Sequence, residues 1–195
     1  MENIIALYFL GKIIYPNIMP IMPFDNNGKL FSFQIKNSAN ANNEIQVKKT
    51  YDKNEILWLA RIIYSETKIP SEMRLIGWVA RNRVETNYFG SSYESIAKSP
   101  NQFSGLNRYD IEFKNNMSLG YEDTLNNSWR LSLMIAEEIY YADESARPFP
   151  VNIRHFYSPI SVRNAPSWAD GKIPYSIIKN QNDIRPRFAF YAGVK

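Results

Sequence analysis

The chain has 195 residues, 45% of them hydrophobic, enough for one folded domain with a sizeable core plus an extension. The absence of cysteine excludes disulfides, thiolate metal sites and cysteine nucleophiles, and a single histidine, His155, excludes a multi-histidine zinc site. The net charge is only +4, and no Lys/Arg run or basic–aromatic alternation marks a nucleic-acid interface.

The opening "MENIIALYFLGKIIYPNIMP" is apolar but begins with Glu2 instead of a basic region, and Lys12 interrupts it. Pro16 and Pro20 break it before the roughly 20 apolar residues that a bilayer requires, so it reads as neither a signal peptide nor a membrane span. "KLFSFQIKN" alternates Phe31, Phe33 and Ile35 on one face and predicts a strand. The Asn-rich "NSANANNE" after it predicts a linker, with a domain boundary between Ala41 and Thr50.

Asp52 and Glu55 have capping-box spacing, and Ile56, Leu59, Ala60 and Ile63 share a helical face, which predicts a helix from Lys53 to Glu66. Glu66 then stands at the negative end of the helix dipole, where ionisation is disfavoured and its pKa is expected to rise. Pro70 and Ser71 start a second helix running to about Asn87, with Met73, Ile76, Gly77, Ala80 and Val84 as its buried stripe. Ser91 and Glu94 predict a short capped helix to Lys98, followed by the turn-rich loop "SPNQFSGLN". A long helix is expected over Ser128–Tyr141 with Asn127 as its cap, then two short strands in "VNIRHFY" and "RPRFAFYAGV" separated by a polar loop. The expected fold class is α+β, mainly helical, with a small β element and an N-terminal extension.

With no cysteine, no histidine cluster and no phosphate-binding glycine loop, carboxylates are the natural acid/base groups, and glycoside cleavage is the reaction that needs least besides them. Glu66 suits the acid role, since its helix is otherwise apolar; the competing reading is a solvated glutamate at a helix end. Asp170 and Glu72 are further carboxylates, but no spacing places either across a cleft from Glu66.

The ordered series "LARIIYSETK", "GWVARNRV", "NQFSGLN", "RHFYSP" and "FAFY" resembles the SleB-like cell-wall hydrolases, the spore-cortex-lytic type of lytic transglycosylase. The resemblance runs from about Leu57 to Tyr191, leaves residues 1–50 outside, and makes residues 51–195 the catalytic domain. It implies a lysozyme-like fold and cleavage of the bond between N-acetylmuramic acid and N-acetylglucosamine by a single glutamate, with no metal or cofactor. By position, Glu66 matches the general acid. Gln102, Phe103 and Ser104 match a loop along the glycan cleft, and His155, Phe156 and Tyr157 an aromatic strand facing it.

Asn82, Arg83 and Val84 match a motif read as mainly structural. The family has Ala-Arg-Gly after the glutamate where this chain has Thr67, Lys68 and Ile69, so the cleft edge is expected to differ. Simpler readings stand beside these roles: His155 as a satisfied strand residue, Gln102 and Ser104 closing a turn, Phe103 and Phe156 in the core. His155 and Tyr157 alternate along their strand, so one face carries both. A muramidase using water, or an inactive wall-binding module of a phage particle, is the alternative function. The expected setting is the bacterial cell wall or periplasm, reached by a route other than ordinary secretion, as a virion or lysis protein, with the N-terminal extension docking to a protein partner.

Overall fold

In the computed structural model the described residues are 52–176 and 187–194. The predicted strand, linker and extension within residues 1–50 lie outside them. The chain divides into two units, Met1–Val47 and Lys48–Lys195, and all described residues belong to the second.

Helix α1 spans Lys53–Glu66, as its apolar spacing predicts. Asp52 caps it, its carboxylate accepting from the amides of Asn54 at 3.0 Å and Glu55 at 3.1 Å. Glu55 does not reach back to complete a capping box. Its carboxylate accepts instead from the amide of Tyr93 at 2.7 Å, the first residue of α3 (Tyr93–Lys98). That short helix starts one residue later than its sequence suggests, because Ser92 and Ser95, not Ser91 and Glu94, form the reciprocal cap.

Helix α2 covers Pro70–Glu85. Met73, Ile76, Gly77 and Ala80 of the predicted stripe are buried, whereas Val84 is half-buried. Gly77 faces both neighbouring helices: a Cβ there would lie at 3.0 Å from Cδ1 of Ile63 and closer still to Cδ1 of Ile139. Helix α5, Asn127–Tyr141, is capped by Asn126, one residue before the expected cap. Helices α1, α2 and α5 pack pairwise around Ile56, Leu59, Ile63, Ile76, Ile135 and Ile139, all within 1% of complete burial. One helix has no counterpart in the sequence reading: α4, Phe113–Ser118, which its mixed polar sequence does not announce. Among the described residues no helix is long and apolar enough to cross a membrane.

Strands β1, Ile153–Tyr157, and β2, Ala189–Ala192, pair antiparallel. Their register is irregular: Ile153 lies opposite Ala192 and His155 opposite Tyr191, which leaves Arg154 as an extra residue in β1. The bulge changes which residues point where. Ile153 and Phe156, three apart, both pack on the main core, while Tyr157 joins a second apolar cluster with Trp168 and Tyr191. Asn82 ties the sheet to α2 by donating to the carbonyls of Ile153 at 2.8 Å and Pro150 at 3.2 Å. The result is a mainly helical α+β domain in which one small sheet lies against α2.

Candidate active site

Glu66 is the last residue of α1, and the amide of Thr67 closes the helix on the carbonyl of Ile63. The last turn holds no basic residue to offset the dipole. Glu66 is half-buried, and its Oε1 is enclosed without a hydrogen-bond partner. Burial pushes its carboxyl up to about 7, against the opposing pull of Arg83, Lys68 and the Ser104 backbone amide. A carboxyl poised there carries a proton in about half the molecules at neutral pH, so it can give one up and take one back.

The chain turns sharply at both ends of this residue. Thr67 donates to Glu72 at 2.6 Å and accepts from the amide of Ile69, while Arg187, just before β2, bridges to Glu72 and Thr67 at 2.8 and 3.0 Å. Burial acts against ionisation of Glu72, but its bonds to Arg187 and Thr67 prevail and hold its carboxyl below the usual range. Glu72 is therefore an anion committed to Arg187 and to the turn that follows Glu66. Asp170 is exposed next to a 3₁₀ turn, Ser167–Ala169.

The loop "NQFSGLN" contains a 3₁₀ turn, Ser104–Leu106, lying against the end of α1. Gly105 allows this approach, since a Cβ there would come within 3.1 Å of Cβ of Ser65 and 3.0 Å of Asn116 Nδ2. The turn separates two cavities. One, of about 370 Å³, has Ser65, Lys68, Ser104, Asp110 and Glu112 among its walls. The other, of about 530 Å³ and more apolar, lies beyond Phe103 and Leu106 and includes Trp58 and Tyr109. Glu66 lines neither, but its neighbours Ser65, Lys68 and Ser104 line the first. Asp110 and Glu112, carboxylates that the sequence reading passed over, face that cavity. Among the described residues no group of three His, Asp or Glu side chains is arranged to hold a metal ion.

The predicted site residues do not all converge. Gln102 is half-buried and donates to the carbonyl of Pro100 at 3.1 Å, so it serves its own turn. Phe103 is only 2% exposed and lies beneath the Arg83 guanidinium, 4.9 Å from its ring centre. It is a floor of the site and no platform for a sugar. Ser104 is exposed beside Glu66. His155 and Tyr157 do share a face, both meeting Trp168, with ring centres 5.1 and 5.7 Å away. Tyr157 also stacks on Tyr191 at 5.7 Å. Comparisons with known protein families, characterised proteins and solved structures find no match to this chain.

Arg83 joins these parts. It is 3% exposed, donates through Nε to the carbonyl of Arg154 at 2.7 Å, and sits over Phe103 and Phe89. Phe89 has a φ of 67°, a backbone state that bulky residues rarely adopt. It packs on Tyr88, which in turn lies 3.3 Å from Nε2 of His155 through its hydroxyl. Sequence reasoning missed Tyr88 and Phe89, although the aromatic pair before Gly90 at a helix end was a usable signal.

Burial, then Arg83 and Arg154, push His155 down to about 4. Its imidazole is therefore neutral from about pH 5 upward, a hydrogen-bonding group and not an acid. In a pH titration followed by NMR, the His155 ring signals are expected to stay constant between pH 8 and about 5.5 and to move only below that. A midpoint near the ordinary value of about 6.5 would show that neither burial nor the two arginines act on it.

Proposed function

We propose that the chain is a peptidoglycan-cleaving lytic transglycosylase whose lysozyme-like domain uses Glu66 as both acid and base, in keeping with its resemblance to the SleB-like family. One observation carries the reading: a carboxyl at a helix end, pushed up to about 7, with an enclosed and unpartnered oxygen beside a polar cavity. In the first step Glu66 gives its proton to the glycosidic oxygen as the bond from C1 of the muramoyl residue to that oxygen breaks. In the second, the carboxylate takes the proton of the muramoyl 6-hydroxyl while O6 bonds to C1. The atoms balance without water, and the acid is regenerated.

The 6-hydroxyl is tethered to the reacting sugar, so ring closure has the high effective molarity of an intramolecular attack, an advantage on the order of 7 kcal/mol. The aromatic face of Tyr157 and Trp168, together with His155, Gln102 and Ser104, would border the glycan path. The setting is the bacterial wall or periplasm, and delivery in a virion or by a lysis system, with residues 1–50 as the docking segment, is part of the same proposal.

A muramidase is the second reading, favoured by Asp110 and Glu112 in the cavity wall, since a carboxylate across the cleft could activate water. A digest of purified peptidoglycan separates the two. Mass analysis is expected to find 1,6-anhydromuramoyl ends, and borohydride labelling to find no new reducing ends. Abundant labelled muramitol would assign the water-using reaction instead, and an unchanged wall would leave only a binding module.

A further inference from the structure

Among the described residues four buried side-chain polar atoms have no partner: Nε of Arg61, Nε of Arg154 and, on two groups that feel each other's charge, Oε1 of Glu66 and Nη1 of Arg83. A buried donor or acceptor left unpaired is costly, more so when charged, so two such atoms at one site call for a reason. The Arg83 side chain is anchored by one hydrogen bond and two aromatic rings. Its Nε is fixed on the carbonyl of Arg154, the bulged residue of β1, and the guanidinium plane is held between Phe103 at 4.9 Å and Phe89 at 5.6 Å. The cation is thus anchored with its buried Nη1 unpartnered among the described residues, and of the charges around it that of Glu66 acts on it most strongly.

We propose that Arg83 is a positioning residue for Glu66, an anchored cation whose spare Nη1 donor receives the carboxylate each time Glu66 has given up its proton. This rests on the proposed acid/base role, in which Glu66 passes through both states in every turnover. While Glu66 is protonated, a neutral acid needs no ion pair and is free to face the substrate oxygen. Once ionised in an enclosed site, it needs a fixed positive group, and a rigid guanidinium supplies one at little cost in reorganisation.

The other charges are placed so that they do not replace it. Lys68, also near Glu66, is exposed and turned onto the Tyr64 ring at 3.5 Å, with Glu112 acting on it as well. The Ser104 amide contributes a dipole and no charge. On the Arg83 side, Arg154 lies over Tyr88 at 4.0 Å, and His155 is neutral at working pH.

The test is a pair of NMR titrations on the full chain, following the labelled carboxyl carbons of glutamate and the side-chain nitrogens of arginine, without substrate. In the unaltered protein the Arg83 signals are expected to move with the same midpoint as the Glu66 carboxyl, and in Glu66→Gln that step should vanish from Arg83. Arg83→Met should raise the Glu66 midpoint by at least about one pH unit, with Arg83→Lys falling between. Arg83 signals that stay flat through the Glu66 titration overturn the proposal, and this readout needs no Arg83 variant to fold. The unaltered protein's digest of peptidoglycan is run in parallel. Coupled titration without cleavage would sink the enzymatic reading and leave the pair standing, whereas cleavage without coupling would do the reverse.

Discussion

Glu66→Gln is expected to leave a folded protein that cleaves peptidoglycan at least about 100-fold more slowly, the lower end of what general acid catalysis contributes. The amide is nearly isosteric but cannot protonate the glycosidic oxygen. The same change should stabilise the protein at alkaline pH. The folded-state carboxyl of Glu66 is raised from an ordinary value of 4.5 to about 7, so the folded chain holds the proton more tightly than the unfolded one. The stability that the Glu66 carboxyl lends is therefore full below about 4.5, falls as pH rises towards 7, and is gone above it. A shift of this size corresponds to on the order of 3 kcal/mol. Urea unfolding at pH 8 should place Glu66→Gln above the unaltered protein, and the gap should close at pH 4. Near-normal cleavage by the folded variant would mean that another group is the acid.

Glu72 is expected to behave in the opposite sense. It is 3% exposed and bonded to the Arg187 guanidinium and the Thr67 hydroxyl. Glu72→Gln should destabilise the fold by about 1–2 kcal/mol, the worth of its charge-assisted hydrogen bonds, since the Arg187 guanidinium left unpaired is 40% exposed and can be hydrated. Because its folded-state carboxyl is depressed, the stability it lends is present above the unfolded value of 4.5 and lost as pH falls below that. The difference between the variant and the unaltered chain in urea unfolding should thus be full at pH 7 and shrink on acidification. A gap unchanged down to pH 3 would show that packing, not the ion pair, supports the turn after α1. Two carboxylates six positions apart consequently oppose one another: ionising Glu66 loosens the domain, and ionising Glu72 tightens it.

The helices were legible because their signals are local. The i, i+3, i+4 spacing of Ile56, Leu59, Ala60 and Ile63 and the cap Asp52 suffice to place α1 and put Glu66 at its end. Helix α5 and both strands follow from the same kind of signal, with caps displaced by a residue where neighbouring Ser or Asn residues compete for the role. The site was legible only where it depends on one element. The direction of the Glu66 shift was expected from its helix end, but its cause is burial, and the cation acting on it belongs to α2 and is held by a carbonyl of β1, a relation across 71 residues of chain that no spacing records. For the same reason Arg83 read as part of a structural motif, and Asp110 and Glu112, which no sequence pattern singles out, line a cavity only once the fold is formed. Of the two readings of Phe103 its burial favours the core, a choice that sequence leaves open because an aromatic residue in a polar loop looks the same whether it points up or down.

The extra residue at Arg154 gives strand β1 two phases in place of one. Before it the chain counts from the main core through Ile153, and after it the count restarts one step out, so Phe156 returns to that core and His155 and Tyr157 fall on the aromatic side. The carbonyl at the change of phase is the one that holds Arg83. Substitutions along the strand alter one side chain each, whereas adding or losing a single residue there would exchange the two faces and at the same stroke remove the anchor of the guanidinium. The length of this five-residue strand, more than its composition, is what ties the sheet to the carboxyl at the end of the first helix.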